Sequence, residues 1–149
     1  MDVGQMINPG IDLGQLYGGF IQGMGWVTTE ELVFDDAGHL KSTSPTTYKI
    51  PNITDTPRVF NVDTIPNPKH RQNVRFSKAV GEPPLMLGVA PWLAAKHAMS
   101  FVNPEAPGKI APLELPATNE QNLMCMTALT NQQPVTQLSQ MTQISNAES

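Results

Sequence analysis

Four glycines interrupt the strongest helical pattern in the chain, and they limit what it can fold into more than any other feature. Leu13, Leu16, Tyr17, Phe20, Ile21 and Met24 fall at the i, i+3, i+4 spacing of one apolar face, which predicts a helix over residues 12–24. Gly14, Gly18, Gly19 and Gly23 lie inside it. Each interior glycine costs about 1 kcal/mol relative to alanine, so the four together cost about 3–4 kcal/mol. Nothing local offsets that cost, which points to close approach of another backbone or of a ligand. Such a helix is poorly stable outside a larger assembly. Asp12 reads as its N-cap, and Gln15, three residues on, completes a capping box. The same Gln15 also reads as an amide that presents a donor to a ligand from a glycine-lined helix start.

The next segment has a β pattern. Residues 26–34 are rich in Val, Thr and aromatics, and Asp35-Asp36-Ala37-Gly38-His39 supplies a turn from which Leu40 onward can return as a hairpin arm. Short extended runs follow at 46–50, 58–65 and 73–76, broken by Pro51 and by Pro66-Asn67-Pro68. A second helical stripe covers 85–102 through Leu85, Val89, Trp92, Met99 and Val102, with Pro91 expected to kink or interrupt it. Thr118 is placed to cap a short helix over 119–129. The expected fold is therefore α+β: a small, mostly antiparallel sheet flanked by the glycine-rich helix and a longer C-terminal helix. Residues 1–129 form one domain, and 130–149, rich in Gln, Thr, Ser and Asn, read as a disordered polar tail.

Composition removes several classes. Only 15% of the 149 residues are charged, and eleven glycines and fourteen prolines mark a loop-rich chain with a modest core. No run of apolar residues is long enough to span a bilayer, so no membrane partner is expected. No basic segment leads into an apolar stretch at the N-terminus, so no secretory leader is expected and a cytoplasmic location is. The single cysteine, Cys125, excludes a disulfide framework and any cysteine-ligated cluster held by this chain alone. His39, His70 and His97 are far apart and have no ligand-spaced partners, so no metal ligand is assigned. Net charge is −4. Lys69, His70, Arg71, Arg75 and Lys78 form a basic cluster that reads as a solvated loop, and no nucleic-acid partner is expected.

Two carboxylate positions stand out. Glu30 and Glu31 are neighbours in an expected strand, where their side chains point to opposite faces and read as solvated or edge groups. Glu82 sits between Gly81 and the pair Pro83-Pro84, where a loop turns into a helix. The prolines stiffen the backbone behind it and the glycine allows close approach in front. A carboxylate fixed before substrate arrives is what a general base requires. The plainer reading is a glutamate that interacts with the first turn of the helix it precedes.

These stretches also carry a resemblance. Asn8-Pro9-Gly10-Ile11-Asp12-Leu13-Gly14-Gln15, Gly18-Gly19-Phe20-Ile21-Gln22-Gly23-Met24-Gly25, Thr29-Glu30-Glu31-Leu32, Thr47-Tyr48-Lys49-Ile50-Pro51 and Ser77-Lys78-Ala79-Val80-Gly81-Glu82-Pro83-Pro84-Leu85 occur in this order. Together they resemble the C-terminal part of the molybdopterin-binding subunit or domain of xanthine dehydrogenase, over about residues 2–129. The resemblance implies that Glu82 is the active-site base for hydroxylation of an electron-poor carbon beside a ring nitrogen in a purine such as hypoxanthine or xanthine. It implies that Gln15 lies beside a molybdenum–pterin cofactor and donates a hydrogen bond to it. It further implies that the cofactor is held mainly by chain outside this one, and that iron–sulfur clusters and FAD sit on a partner domain or subunit. A chain of this length then reads as a fragment, inactive alone, that partners the remainder of the molybdenum subunit. The alternative is a non-catalytic remnant or interaction domain derived from the same family.

Overall fold

The computed structural model describes residues 1–103 and 108–131. Three α-helices carry it: α1 (Pro9–Thr28), α2 (Val89–Met99) and α3 (Asn119–Asn131). Short 3-10 turns occupy Ile53–Asp55, Val74–Phe76 and Pro83–Gly88.

Helix α1 starts earlier and ends later than the apolar periodicity predicts. Its N-cap is Asn8, whose Oδ1 accepts from Ile11 N at 3.3 Å, and Pro9 opens the helix at a position where a missing N–H costs nothing. Asp12 is therefore not the cap; it lies in the first turn and accepts from Ile7 N at 3.0 Å. The capping box with Gln15 does not form, which leaves the Gln15 carboxamide uncommitted. At the other end Trp26, Val27 and Thr28 remain helical despite their β propensity. Val27 is buried and its carbonyl accepts from Ala117 N at 2.8 Å, so tertiary packing overrides local preference.

The α+β expectation fails at the sheet. Among the described residues there is no strand, only two isolated bridges, Gly4 with Ser77 and Phe34 with Leu40. The turn at 35–39 does form. Asp35 Oδ1 accepts from Ala37 N and His39 N, and Gly38 takes the left-handed φ of 84°. Its arms separate after one bridge. The run at 46–50 is a hydroxyl-bonded turn around Ser44, and 73–76 is the 3-10 turn. Residues 58–65 have no ladder partner; Ile65 N is tied to Met1 O at 2.8 Å, and Thr64 N only to its neighbour Asp63 Oδ1 at 2.7 Å. An alternating sequence makes a strand only when a neighbour takes its backbone donors and acceptors, and none of the described segments does so.

The second stripe divides where a 3-10 turn meets a helix. Pro83–Gly88 winds as 3-10, α2 follows from Val89, and Pro91 falls in the first helical turn, where its missing N–H breaks no internal bond. Helix α3 starts after Thr118, whose Oγ1 accepts from Gln121 N at 3.2 Å. It extends to Asn131, so the first two residues of the expected tail are helical; the rest of that tail, from 132, lies outside the described residues. Met99, Ala111, Leu113, Ala117, Cys125 and Leu129 form one buried cluster, with Trp92, Ala95 and Val102 packed against it. Burial pushes the Cys125 thiol up from its ordinary value, so it stays protonated.

The N-terminal segment is fastened to the loop before Glu82. Lys78 N donates to Val3 O at 3.0 Å, and Gln5 N donates to Phe76 O at 2.9 Å. The Asp2 carboxylate accepts from Lys78 Nζ, from Asn67 Nδ2 at 2.8 Å and from Gly4 N at 2.9 Å. These bonds, the lysine's foremost, hold Asp2 well below the usual carboxylate range. A pKa lowered on folding contributes stability that is complete above the unfolded value, near 3.8, and is lost as pH falls below it toward the folded value. Asp2→Asn is expected to flatten the acid limb of the stability profile below about pH 4, as read by thermal melts across pH. An unchanged acid limb would remove Asp2 from that role.

Candidate functional site

Helix α1 and the Pro83–Gly88 turn cross with almost no side chain between them. A Cβ on Gly88 would stand 2.5 Å from Gly23 Cα, and one on Gly23 would stand 2.9 Å from the Leu85 carbonyl carbon. Gly19 faces Pro84, which is buried. Gly23 and Gly88 are thus explained by backbone packing, whereas a Cβ on Gly19 would make only ordinary contact, and this crossing recovers part of what α1 loses to its glycines. The close approach carries Glu82 to the flank of α1.

There Glu82 and Gly81 face Gly14, Gln15, Gly18, Gly19 and Gln22 across an open cleft of about 290 Å³. Gln15, Gly18 and Gln22 follow the i, i+3, i+7 spacing of one helical face. Glu82 precedes a proline yet has φ −82° and ψ −4°, a helical backbone disfavoured before proline. Its own carbonyl accepts from Leu85 N at 2.8 Å, which fixes the turn. Its side chain makes no capping bond to the first turn. Among the described residues the Glu82 carboxylate and the Gln15 and Gln22 carboxamides have no side-chain hydrogen-bond partner.

Two groups of glycines separate by these distances. A Cβ at Gly14, Gly18 or Gly81 would meet nothing within 4 Å. All three line the cleft, and no packing within the described residues requires them to be glycine. Helical glycine without a packing reason is a net loss of about 1 kcal/mol against alanine, so the open floor at Gly14 and Gly18 points to something outside the chain. The donor set consists of two carboxamides and one carboxylate. It suits a polar, hydrogen-bonding group that brings its own metal ligands, since no thiolate or imidazole lines the cleft. Among the described residues no three His, Cys, Asp or Glu side chains stand close enough to hold a metal ion.

Gln22 was not among the site residues expected from sequence. Its signal is visible in retrospect as the seventh residue after Gln15 on a face otherwise cleared of side chains. Glu30 departs from expectation in the other direction. It is buried at the end of α1, and its carboxylate hydrogen-bonds the Tyr48 hydroxyl, which raises the tyrosine above its ordinary value. Its role is to close the loop over Gly25, whose Cβ position faces Glu30 and Pro51.

Residues 1–57 match the molybdopterin cofactor-binding domain family, a span that includes α1 with Gln15 and Gln22 but stops short of Glu82. The chain is 42% identical over 140 residues to the xanthine dehydrogenase of Oryza sativa subsp. japonica, covering 87% of this chain and 10% of that protein. It is 41% identical over 134 residues to the xanthine dehydrogenase of Drosophila subobscura, covering 88% and 10%. Against that of Dictyostelium discoideum the identity is 47% over 103 residues, 67% of this chain and 7% of the relative. These matches make the chain a piece of a molybdopterin-binding protein. The chain belongs to the xanthine dehydrogenase family, and it spans about a tenth of the length of the curated relatives it matches. No helix among the described residues is long and apolar enough to cross a membrane.

Proposed function

We propose that this chain is the C-terminal, base-bearing wall of a molybdenum–pterin centre in a xanthine dehydrogenase-type oxidoreductase that hydroxylates a purine such as hypoxanthine or xanthine. The observation that carries the reading is the cleft in which Gly14, Gly18 and Gly81 leave space beside Gln15, Gln22 and Glu82. Gln15 and Gln22 hold the polar edge of the cofactor through their amides, which both donate and accept. The bound cofactor supplies the two-electron oxidation and the oxygen chemistry that no side chain of this chain offers. Glu82 is the general base: one of its carboxylate oxygens would accept the proton released by the attacking hydroxyl, and the two electrons of the C–H bond that breaks would pass to the cofactor. Its exposure in the chain alone ends when cofactor, purine and the remaining polypeptide close over it.

Several parts of the enzyme lie elsewhere in this proposal. The lone, buried Cys125 holds no iron–sulfur cluster, so onward electron transfer through such clusters and FAD belongs to a partner domain or subunit. The remainder of the molybdenum subunit covers apolar side chains that stand exposed here, among them Ile53, Val59, Val74 and Leu87. The chain alone is inactive, and the assembled enzyme is cytoplasmic.

The test is Gly18→Ala. In the chain alone the substitution meets nothing and is expected to stabilise α1 by about 1 kcal/mol. In the protein assembled with its remainder, the same methyl enters the cleft and molybdenum content, read by elemental analysis, is expected to fall. A variant that loads molybdenum as well as the parent would overturn the assignment of this cleft to the cofactor.

A further inference from the structure

A second cleft, of about 470 Å³, lies on the loop before Glu82 and shares no residue with the first. Its walls are Gly4, Gln5, Pro66, Asn67, Pro68, His70, Arg71 and Phe76. Between Asp63 and Glu82 the chain has no acidic residue, yet it places four of its nine Lys and Arg residues there, in a protein of net charge −4. Both ionisable side chains lining the cleft, His70 and Arg71, are basic.

Three observations indicate a prepared site. His70 Nε2 is shielded from solvent and has no hydrogen-bond partner. A buried polar atom left unpaired costs about 1–3 kcal/mol, and with the ring hydrogen on Nε2 an oxyanion would satisfy it. The Arg71 guanidinium is held in place, with NH1 donating to the His70 carbonyl at 2.8 Å and the group lying 4.7 Å from the Phe76 ring centre. Arg75 and Phe76 are kept at φ 52° and 60°, a left-handed backbone that costs non-glycine residues energy. That turn brings the Phe76 ring to the cleft while its carbonyl accepts from Gln5 N.

We infer that this cleft binds a phosphate monoester, with the phosphate on Arg71 and His70 and the organic body against Pro66, Pro68 and Phe76. The volume exceeds what a bare oxyanion fills and lies in the range of small-ligand sites. A fixed guanidinium with an aromatic wall is the usual pairing for a phosphate attached to a planar group. The site is independent of the cofactor proposal, because none of its lining residues faces the Gln15–Glu82 cleft.

Calorimetric titration of the full chain with AMP, adenosine and inorganic phosphate separates the contributions. AMP is expected to bind, phosphate to bind more weakly, and adenosine not to bind. Arg71→Gln, on an exposed loop, is expected to weaken AMP at least tenfold, the loss of one charge-assisted contact. Lys41→Gln, remote from the cleft, is expected to leave AMP binding unchanged. No AMP binding overturns the site, as does an equal loss in both variants, which would mean attraction by net charge alone. Equal affinities for phosphate and AMP overturn the monoester. His70→Ala repeats the test if Arg71→Gln lacks the native circular dichroism spectrum.

Discussion

Glu82→Gln, placed in the protein assembled with its remainder, is expected to lower kcat by about 10²–10⁴-fold while molybdenum content stays at the parent level. The amide has the size and shape of the carboxylate but cannot act as a base, so the substitution separates chemistry from packing. Packing is not at stake: the carboxylate makes no capping bond, and its backbone is held by Pro83, Pro84 and the bond from Leu85 N. Purine turnover over a pH series is the second readout, because loss of a base removes the limb of the profile on which that base ionises. Parent-level turnover in the variant would take Glu82 out of the mechanism. A parallel fall in molybdenum content would instead make it a cofactor ligand.

The local setting of Glu82 and Gln15 was more legible in the sequence than the architecture, for a physical reason. Glu82 is bracketed by Gly81 and two prolines, and the prolines fix φ at the two positions that follow it whatever surrounds them. Gln15 sits on an apolar-periodic helix, the pattern that survives best in a single chain. The sheet was not legible because the residues at 58–65 specify only alternation, and a strand exists through its partner. Val59 and Ile65 stand exposed where a neighbouring strand or layer would cover them. The end of α1 misled for the opposite reason: Trp26, Val27 and Thr28 favour β locally, but the Ala117 bond and the burial of Val27 hold them in the helix. The true start of α1 was readable in Asn8-Pro9, an N-cap followed by a proline, and the stronger-looking Asp12-to-Gln15 spacing obscured it.

The glycines carry the same lesson into energetics, and Gly88 tests it most severely. Of the chain's eleven glycines, Gly88 stands closest against main chain on α1: its Cβ position falls on the Gly23 carbonyl carbon and within 2.5 Å of Gly23 Cα and Met24 N. No flexible side chain can swing aside there. Gly88→Ala must push the Pro83–Gly88 turn off α1, at a cost near the upper end of overpacking, about 3 kcal/mol, which corresponds to a Tm lower by about 10 °C. Gly81→Ala, seven residues earlier, meets nothing and is expected to stay within about 0.5 kcal/mol of the parent. The two variants therefore lose turnover by different routes. Gly88→Ala loses stability first, and turnover with it, because the turn that moves is the one that carries Glu82. Gly81→Ala keeps its melting temperature and loses turnover in the assembled protein, because its methyl occupies the cleft beside Glu82. A Gly88→Ala chain that melts with the parent would mean that the crossing of α1 and the turn is looser than the distances require. The placement of Glu82 against Gln15 would then lose its structural cause.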